Sequence, residues 1–465
     1  MAQAKTQLTF CSGVGTVTGA NFLLETADGT KILIDCGLVQ GEKVAENENG
    51  RPFPYDLSKV TALLVTHAHL DHVGRIPKLV RDGYGGPIYS TAETRELARV
   101  VLEDAASILA HEARQEGTTP LYGAEDVARV FDRWQAVEYH RTFEVAPDIS
   151  AYLKDAGHIL GSAMIEITVR PNGPDSRKIL FSGDLGNSPA PLLRDTEAVG
   201  DVDYLVMESV YGDRNHESRA DRAGKLRDIV RQTAGRGGTL VIPSFAIDRT
   251  QVLLYELNRL AESGEIPRLP VFVDSPMAIR ATDIYRKSQN LFNDGVRDEI
   301  GRGRDIFAFP HLSYTMSKNM SAEIEAVPGP KIILAGSGMS VGGRILGHEE
   351  RYLSDEKSTI LLVGYQAAGS LGRELADGAM KIRIHRQNIK VKARIETLYG
   401  YSAHKDSDHL VEFAATAGDD TGKGRLARIF VVMGEPGASM HLTQRLRDEL
   451  GVKAVVPERG QAYDL

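Results

Sequence analysis

Three imidazoles and a carboxylate fall within six consecutive positions of the run Thr66-His67-Ala68-His69-Leu70-Asp71-His72. Both side-chain types suit Zn²⁺, Mn²⁺ or Fe²⁺. Four such donors are more than one tetrahedral ion needs with a position left open for substrate, so two adjacent ions are the first expectation. The chain has 13 histidines in 465 residues, and three of them so close together argue against a polar loop with chance histidines. Two further candidates stand alone among small residues. Asp155-Ala156-Gly157-His158-Ile159-Leu160-Gly161-Ser162 sets His158 between glycines, and Phe181-Ser182-Gly183-Asp184-Leu185-Gly186 sets Asp184 at a strand end before a tight turn. Small neighbours let backbone approach a bound group. Together they offer the third histidine and the bridging carboxylate that the cluster lacks. Asp35, in Asp35-Cys36-Gly37, reads equally well as a structural carboxylate or as a partner that orients a ligand histidine through its other ring nitrogen.

The elements that must position these groups follow from the apolar pattern. Leu63-Leu64-Val65 leads into the cluster, and residues 6–11, 20–25 and 31–36 read as strands, with Asp28-Gly29 as a hairpin signal. Helices are predicted over 73–81, 91–116 and 124–134. Strands are predicted over 87–90, 137–139, 149–153, 163–169 and 178–181. That order predicts an α/β fold in which two sheets are sandwiched by helices. Beyond it, strands at 238–242, 269–273, 331–335 and 358–363 with a helix at 248–261 predict a separate parallel α/β unit, before a last strand at 391–398. Within that unit, residues 243–251 and 336–344 each place backbone amides and an arginine, Arg249 or Arg344, at a helix start, where an anion is favoured.

A chain of this length predicts two or three domains. The net charge is −8, from 63 acidic and 55 basic side chains, which argues against gripping nucleic acid by bulk electrostatics. A local site remains open, because metal ions bring their own positive charge. No apolar run approaches the roughly 18 residues that span a bilayer, and no apolar leader precedes the first strand, so the expectation is a cytoplasmic protein without a membrane partner. Only Cys11 and Cys36 are present, which excludes a disulfide framework.

Asp35, His67-Ala68-His69-Leu70-Asp71-His72, His158 and Asp184, in that order, resemble the metallo-β-lactamase fold. Val206-Met207-Glu208-Ser209-Val210-Tyr211-Gly212-Asp213-Arg214 and Tyr401-Ser402-Ala403-His404-Lys405-Asp406 resemble the two signatures of its β-CASP nucleases. That family includes bacterial RNA-processing nucleases and the mRNA 3′-end-processing endonuclease subunit. The resemblance runs from about residue 8 to the end. It implies an αββα sandwich made of residues 1–208 and 385–465, with a β-CASP domain inserted at 209–384.

The resemblance also implies roles. His67, His69 and His158 would hold one ion, Asp71 and His72 the other, with Asp184 bridging; zinc is the first choice and manganese the second. A metal-activated hydroxide would attack an RNA phosphodiester, and His404, kept protonated by Glu208, would protonate the leaving oxygen. Arg249, Ser337, Gly338, Met339 and Arg344 would hold substrate phosphate, and Asp35 would orient a ligand. The chain departs from the family at one position. Relatives acting on RNA carry Val-His-Gly-Glu where this chain has Val432-Met433-Gly434-Glu435, and a thioether is a poor match to these ions, so the second site is expected to be weaker. His441 is the nearest substitute. Single-stranded RNA is the expected partner, a homodimer is left open, and so is the choice between endo- and exonucleolytic action. The alternatives are a DNA nuclease of the same family, a catalytically weak RNA-binding subunit and a thioester hydrolase of the same fold; the last is disfavoured by the inserted domain.

Overall fold

The computed structural model describes residues 5–41, 43–170, 176–216, 221–366, 369–418 and 426–465. The chain forms two compact units, one of Met1–Asn215 with His404–Leu465 and one of His216–Ala403. Both boundaries lie later than the expected 208/209 and 384/385. Ser209 stays with the first unit because its hydroxyl bonds the Val432 carbonyl and Ser439, each at 2.8 Å. Arg394–Leu398 stays with the second because it pairs in parallel with Thr359–Val363.

Among the described residues, the first unit holds two seven-stranded sheets. One runs Ala462–Asp464, Gln7–Ser12, Asn21–Glu25, Lys31–Ile34, Val60–Leu64, Ile88–Ser90, Trp134–Ala136. The other runs Ala454–Val455, Arg428–Val432, Tyr204–Glu208, Arg177–Phe181, Ala163–Val169, Ile149–Asp155, Phe143–Ala146. The core between them is filled by Phe10, Ile32 and Leu64 from one side and by Ile165, Phe181, Val206 and Phe430 from the other. Side chains alternate along a strand, so Leu205 and Met207 turn the opposite way and pack with Leu410, Phe413, Leu442 and Leu446 of the helices Ser407–Ala415 and Pro436–Leu450. Ile76–Arg81, Ala92–Glu116 and Ala124–Phe131 are the helices associated with the first sheet. The result is the αββα sandwich.

Two local expectations are corrected. The helix expected over 73–81 is broken into Leu70–Val73 and Ile76–Arg81. Pro77 lacks an N–H and its ring would collide with the Val73 carbonyl of a continuous helix, so the helix restarts with proline in its first turn. The helix expected to reach 134 ends at Phe131, and Trp134–Ala136 instead extends the sheet in parallel with Ile88–Ser90.

The second unit has a six-stranded sheet in the order Leu312–Tyr314, Val271–Asp274, Lys331–Ala335, Thr239–Pro243, Thr359–Val363, Arg394–Leu398. Every pairing in it is parallel. Three of its four inner strands, Lys331–Ala335, Thr239–Pro243 and Thr359–Val363, are buried along their whole length, as a parallel sheet covered on both faces requires. A two-stranded antiparallel hairpin, Lys381–Ile384 with Gln387–Lys390, packs Ile382, Ile384 and Ile389 into the same core.

Candidate metal centre

The histidine run leaves the strand Val60–Leu64 as a loop that turns into the short helix Leu70–Val73. Backbone bonds hold it to the neighbouring strand ends: Ala20 N donates to Asp71 O at 2.9 Å, and Cys36 N donates to His72 O at 2.8 Å. Gly37 lies flat against this turn. A Cβ there would sit 1.5 Å from the Asp71 carbonyl oxygen, so no other residue fits without moving the loop.

Four donors converge first. His69 Nδ1 lies 3.1 Å from His67 Nε2 and 3.2 Å from His158 Nε2. Asp184 Oδ2 lies 3.4 Å from His67 Nε2 and 3.5 Å from His158 Nε2. On the other side of Asp184, Oδ1 stands 3.3 Å from His72 Nε2, which in turn stands 3.8 Å from Asp71 Oδ2. The donor atoms of each group, four in the first and three in the second, all fall within 4.8 Å of one another.

These residues fit a metal on structural grounds. His72 Nε2 and Asp184 Oδ1 are buried and face each other, yet neither makes a hydrogen bond. Buried polar atoms are nearly always partnered, and a cation between the two would satisfy both. The protonation pattern agrees for the first group. Burial, reinforced by neighbouring imidazoles, holds His69 and His158 well below the usual histidine range, so both present lone pairs. Burial works against charge on Asp184 as well, but His72 and His67 outweigh it and keep the carboxyl ionised. His72 goes the other way: burial opposes its charge, but Asp184, Asp35 and Asp71 raise it well above the usual range. With no cation there, the surrounding carboxylates favour its protonated form.

Asp35 accepts from Thr66 N and Thr66 Oγ1, both at 2.8 Å, and its Oδ2 lies 2.7 Å from His72 Nδ1. Of the two readings open to it, the geometry is that of a group orienting a ring. Thr66 was not singled out by sequence reasoning. Its hydroxyl also reaches His67 Nδ1 at 3.1 Å, so one residue links the histidines on either side of Asp184. The only available signal was its place directly before the first histidine.

His404 belongs to the same unit. Lys405 N donates to Leu185 O at 3.0 Å, and His404 bridges to Gly186, which brings the ring beside the Asp184 turn. Its Nδ1 lies 3.1 Å from Glu208 Oε1, and Glu208 is fully buried, accepting from Leu185 N at 2.7 Å and Val210 N at 3.2 Å. Burial disfavours a charged His404, but Glu208, with help from Asp184 and Asp71, raises it to about 9. Donor atoms of Asp184, Glu208 and His404 also lie within 4.8 Å of one another, but a protonated ring has no lone pair on either nitrogen to offer a metal, so the arrangement stores a proton.

Met433 does not enter either donor group. It is buried in the core between the sheets, its backbone is left-handed at φ +48°, and its sulfur packs towards Gly13. His441 is exposed on the helix Pro436–Leu450 and joins neither group.

The phosphate-binding candidates lie in the other unit, in loops after the strands Thr239–Pro243 and Lys331–Ala335. The Arg344 guanidinium donates to the buried Asp274 carboxylate at 2.6 Å and to the carbonyls of Thr315 and Met316 at 2.9 and 2.8 Å. Arg249 is buried at the start of its helix; Gly338 is buried against Phe245, and Ser337 and Met339 are half-buried.

Fold and donor groups define a metal-dependent hydrolase of the metallo-β-lactamase type. The sequence matches the metallo-beta-lactamase superfamily domain over residues 23–186, the Beta-Casp domain over 250–375 and the Zn-dependent metallo-hydrolase RNA specificity domain over 388–457. It is 36% identical over 397 residues to Ribonuclease TTHA0252 of Thermus thermophilus, covering 85% of this chain and 88% of that protein. It is 31% identical over 463 residues to Transcription termination factor FttA of Methanosarcina mazei, covering 96% of this chain and 70% of that protein. The chain belongs to the β-CASP nuclease family of the metallo-β-lactamase superfamily. A protein of unknown function from Enterococcus faecalis shares the fold at a TM-score of 0.55 and 16% identity, over 99% of this chain and 100% of that one. Among the described residues, no helix is long and apolar enough to cross a membrane.

Proposed function

We propose that the protein is a ribonuclease that hydrolyses phosphodiester bonds of single-stranded RNA at the donor cluster. The observation that carries this reading is the cluster beside a stored proton on His404, in a chain with a named ribonuclease as relative. His67, His69, His158 and Asp184 would hold one divalent ion; Asp71, His72 and the shared Asp184 would hold a second, zinc being the first choice for this nitrogen and carboxylate set. Bound there, such ions supply Lewis acidity and lower the pKa of water. The protein's own groups do the rest. His404 gives its proton to the leaving oxygen, and Glu208 fixes the ring by Nδ1 so that the proton is offered from Nε2. Asp35 and Thr66 fix the rings of His72 and His67. Arg249, Ser337, Gly338, Met339 and Arg344 are the candidates for holding substrate phosphate, Arg344 being the one already ion-paired, to Asp274. The two buried free thiols suit the reducing cytoplasm.

The test is cleavage of labelled single-stranded RNA by purified protein. Asp71→Ala and His404→Ala are each expected to remove it, and cleavage that survives either change overturns the assignment. A catalytically weak RNA-binding role is the second reading, favoured by the three-donor second group. Two ions per chain in metal analysis support the enzyme; one or none supports the binding protein.

A further inference from the structure

The hairpin Lys381–Ile384 with Gln387–Lys390 is out of character with the rest of the chain. Residues 381–394 hold six lysines and arginines and no acidic residue, in a protein of net charge −8. One face of the hairpin is accounted for, since Ile382 and Ile389 pair across it and are buried. The other face is exposed and presents Lys381 directly opposite Lys390, with Arg383 opposite Asn388. Like charges facing each other across an antiparallel ladder are destabilising. The turn adds to this. His385 and Arg386 are its two central residues, both left-handed at φ +45° and +70°, where such a hairpin favours asparagine and glycine.

Among the described residues only part of this charge is neutralised, Lys392 pairing with Glu356 and Arg394 with Glu396. The acids beside the hairpin are already engaged, Glu350 by His385 at 3.2 Å and Glu356 by Lys392 at 3.1 Å. Lys381, Arg383, Arg386 and Lys390 have no ion-pair partner among the described residues. Ladder pairing and turn choice thus both depart from local preference, and both departures add unbalanced positive charge to one exposed element. Departures of this kind mark functional sites.

We infer that the outer face of this hairpin is a docking surface for the phosphate backbone of single-stranded RNA. Lys381 and Arg383 are two residues apart on one strand, about 6.8 Å, close to the spacing of successive phosphates in an extended strand. Apart from Met380 at its base, the face has no apolar anchor of the kind on which a protein interface is centred. Among the described residues it presents no Phe, Tyr or Trp ring for stacking on bases, only the His385 imidazole at the turn, so the contact is mainly electrostatic and largely indifferent to sequence.

RNA is chosen as the polyanion on the strength of the ribonuclease reading, and the experiment keeps the two separate. Binding of labelled oligouridine by the full chain is followed by fluorescence anisotropy across a salt series in chelator, so that no cleavage intervenes. Two variants are compared with wild type, one with Lys381, Arg383, Arg386 and Lys390 all changed to Glu and one with all four changed to Gln. With about 0.7 in log–log salt slope per single-strand contact, loss of four contacts flattens the slope by about 3 and weakens Kd about tenfold or more. A Gln variant that melts with wild type and shows this change supports the surface. Unchanged Kd and slope in the Gln variant overturn it, as does a change seen for polyglutamate but not for RNA, which would make the partner an acidic protein. If wild type binds through the hairpin but never cleaves RNA, the ribonuclease reading fails and the surface stands. If wild type cleaves while both variants bind normally, the surface fails alone.

Discussion

Two of the donor groups that share Asp184, the four-donor and the three-donor set built on the histidine run, differ in number, in protonation and in what lies behind them. His67, His69, His158 and Asp184 make a four-donor set in which burial keeps His69 and His158 neutral. Asp71, His72 and Asp184 make a three-donor set whose one imidazole is held protonated by the carboxylates around it. The first group is ready for a cation, whereas the second must lose a proton to receive one. A low-dielectric cleft therefore pushes neighbouring histidines in opposite directions, depending on whether imidazoles or carboxylates surround them.

The largest expected effect separates the shared residue from an unshared one. Asp184→Ala should remove both ions and all activity, while Asp71→Ala should leave the first ion in place; metal analysis decides, and equal loss from the two variants breaks the comparison. Next is the second group's orienting carboxylate. Asp35→Asn should weaken the second ion about 10- to 100-fold and leave the first nearly unchanged. Titration with a competing chelator reads both, and an equal shift at the two sites would show that Asp35 acts through Thr66 on His67 instead. A smaller gain is expected from Met433→His. The left-handed backbone there accommodates histidine better than most residues, and a fourth donor should bring the second ion's affinity closer to the first. No change in the ratio would show that the Met433 side chain cannot turn away from the core.

The smallest effect is on pH dependence. The pKa of His404 is raised, so its acid form is complete below the ordinary histidine range and is lost as pH rises through the folded value of about 9, which nearby cations lower. Glu208→Gln removes the main cause of the rise. The basic limb of kcat/KM should then move to lower pH with metal content unchanged; a limb that stays put assigns the proton elsewhere.

Some of this was legible because the signal is local. Three histidines in six positions declare a metal site without any fold, and the unbroken apolar runs 240–243, 332–335 and 360–363 declare a parallel sheet. What failed locally did so for nameable reasons. Pro77 split one helix, and Trp134 left another to join a sheet edge. A partner distant in the chain is equally illegible: Arg344 sits at a helix start as an anion ligand would, and Asp274, seventy residues earlier, ion-pairs with its guanidinium. Nothing in the sequence around Arg344 encodes that partner.

The sequence by itself determined which donors exist, their order and the family they resemble, because ligand chemistry depends on residue type. Tertiary structure decided what each donor is, because protonation depends on neighbours brought together from distant positions. His72 is charged through Asp35, Asp71 and Asp184, and His404 through a glutamate 196 positions away. Only the folded arrangement divides the run from His67 to His72 into a four-donor group and a three-donor group on opposite oxygens of one aspartate.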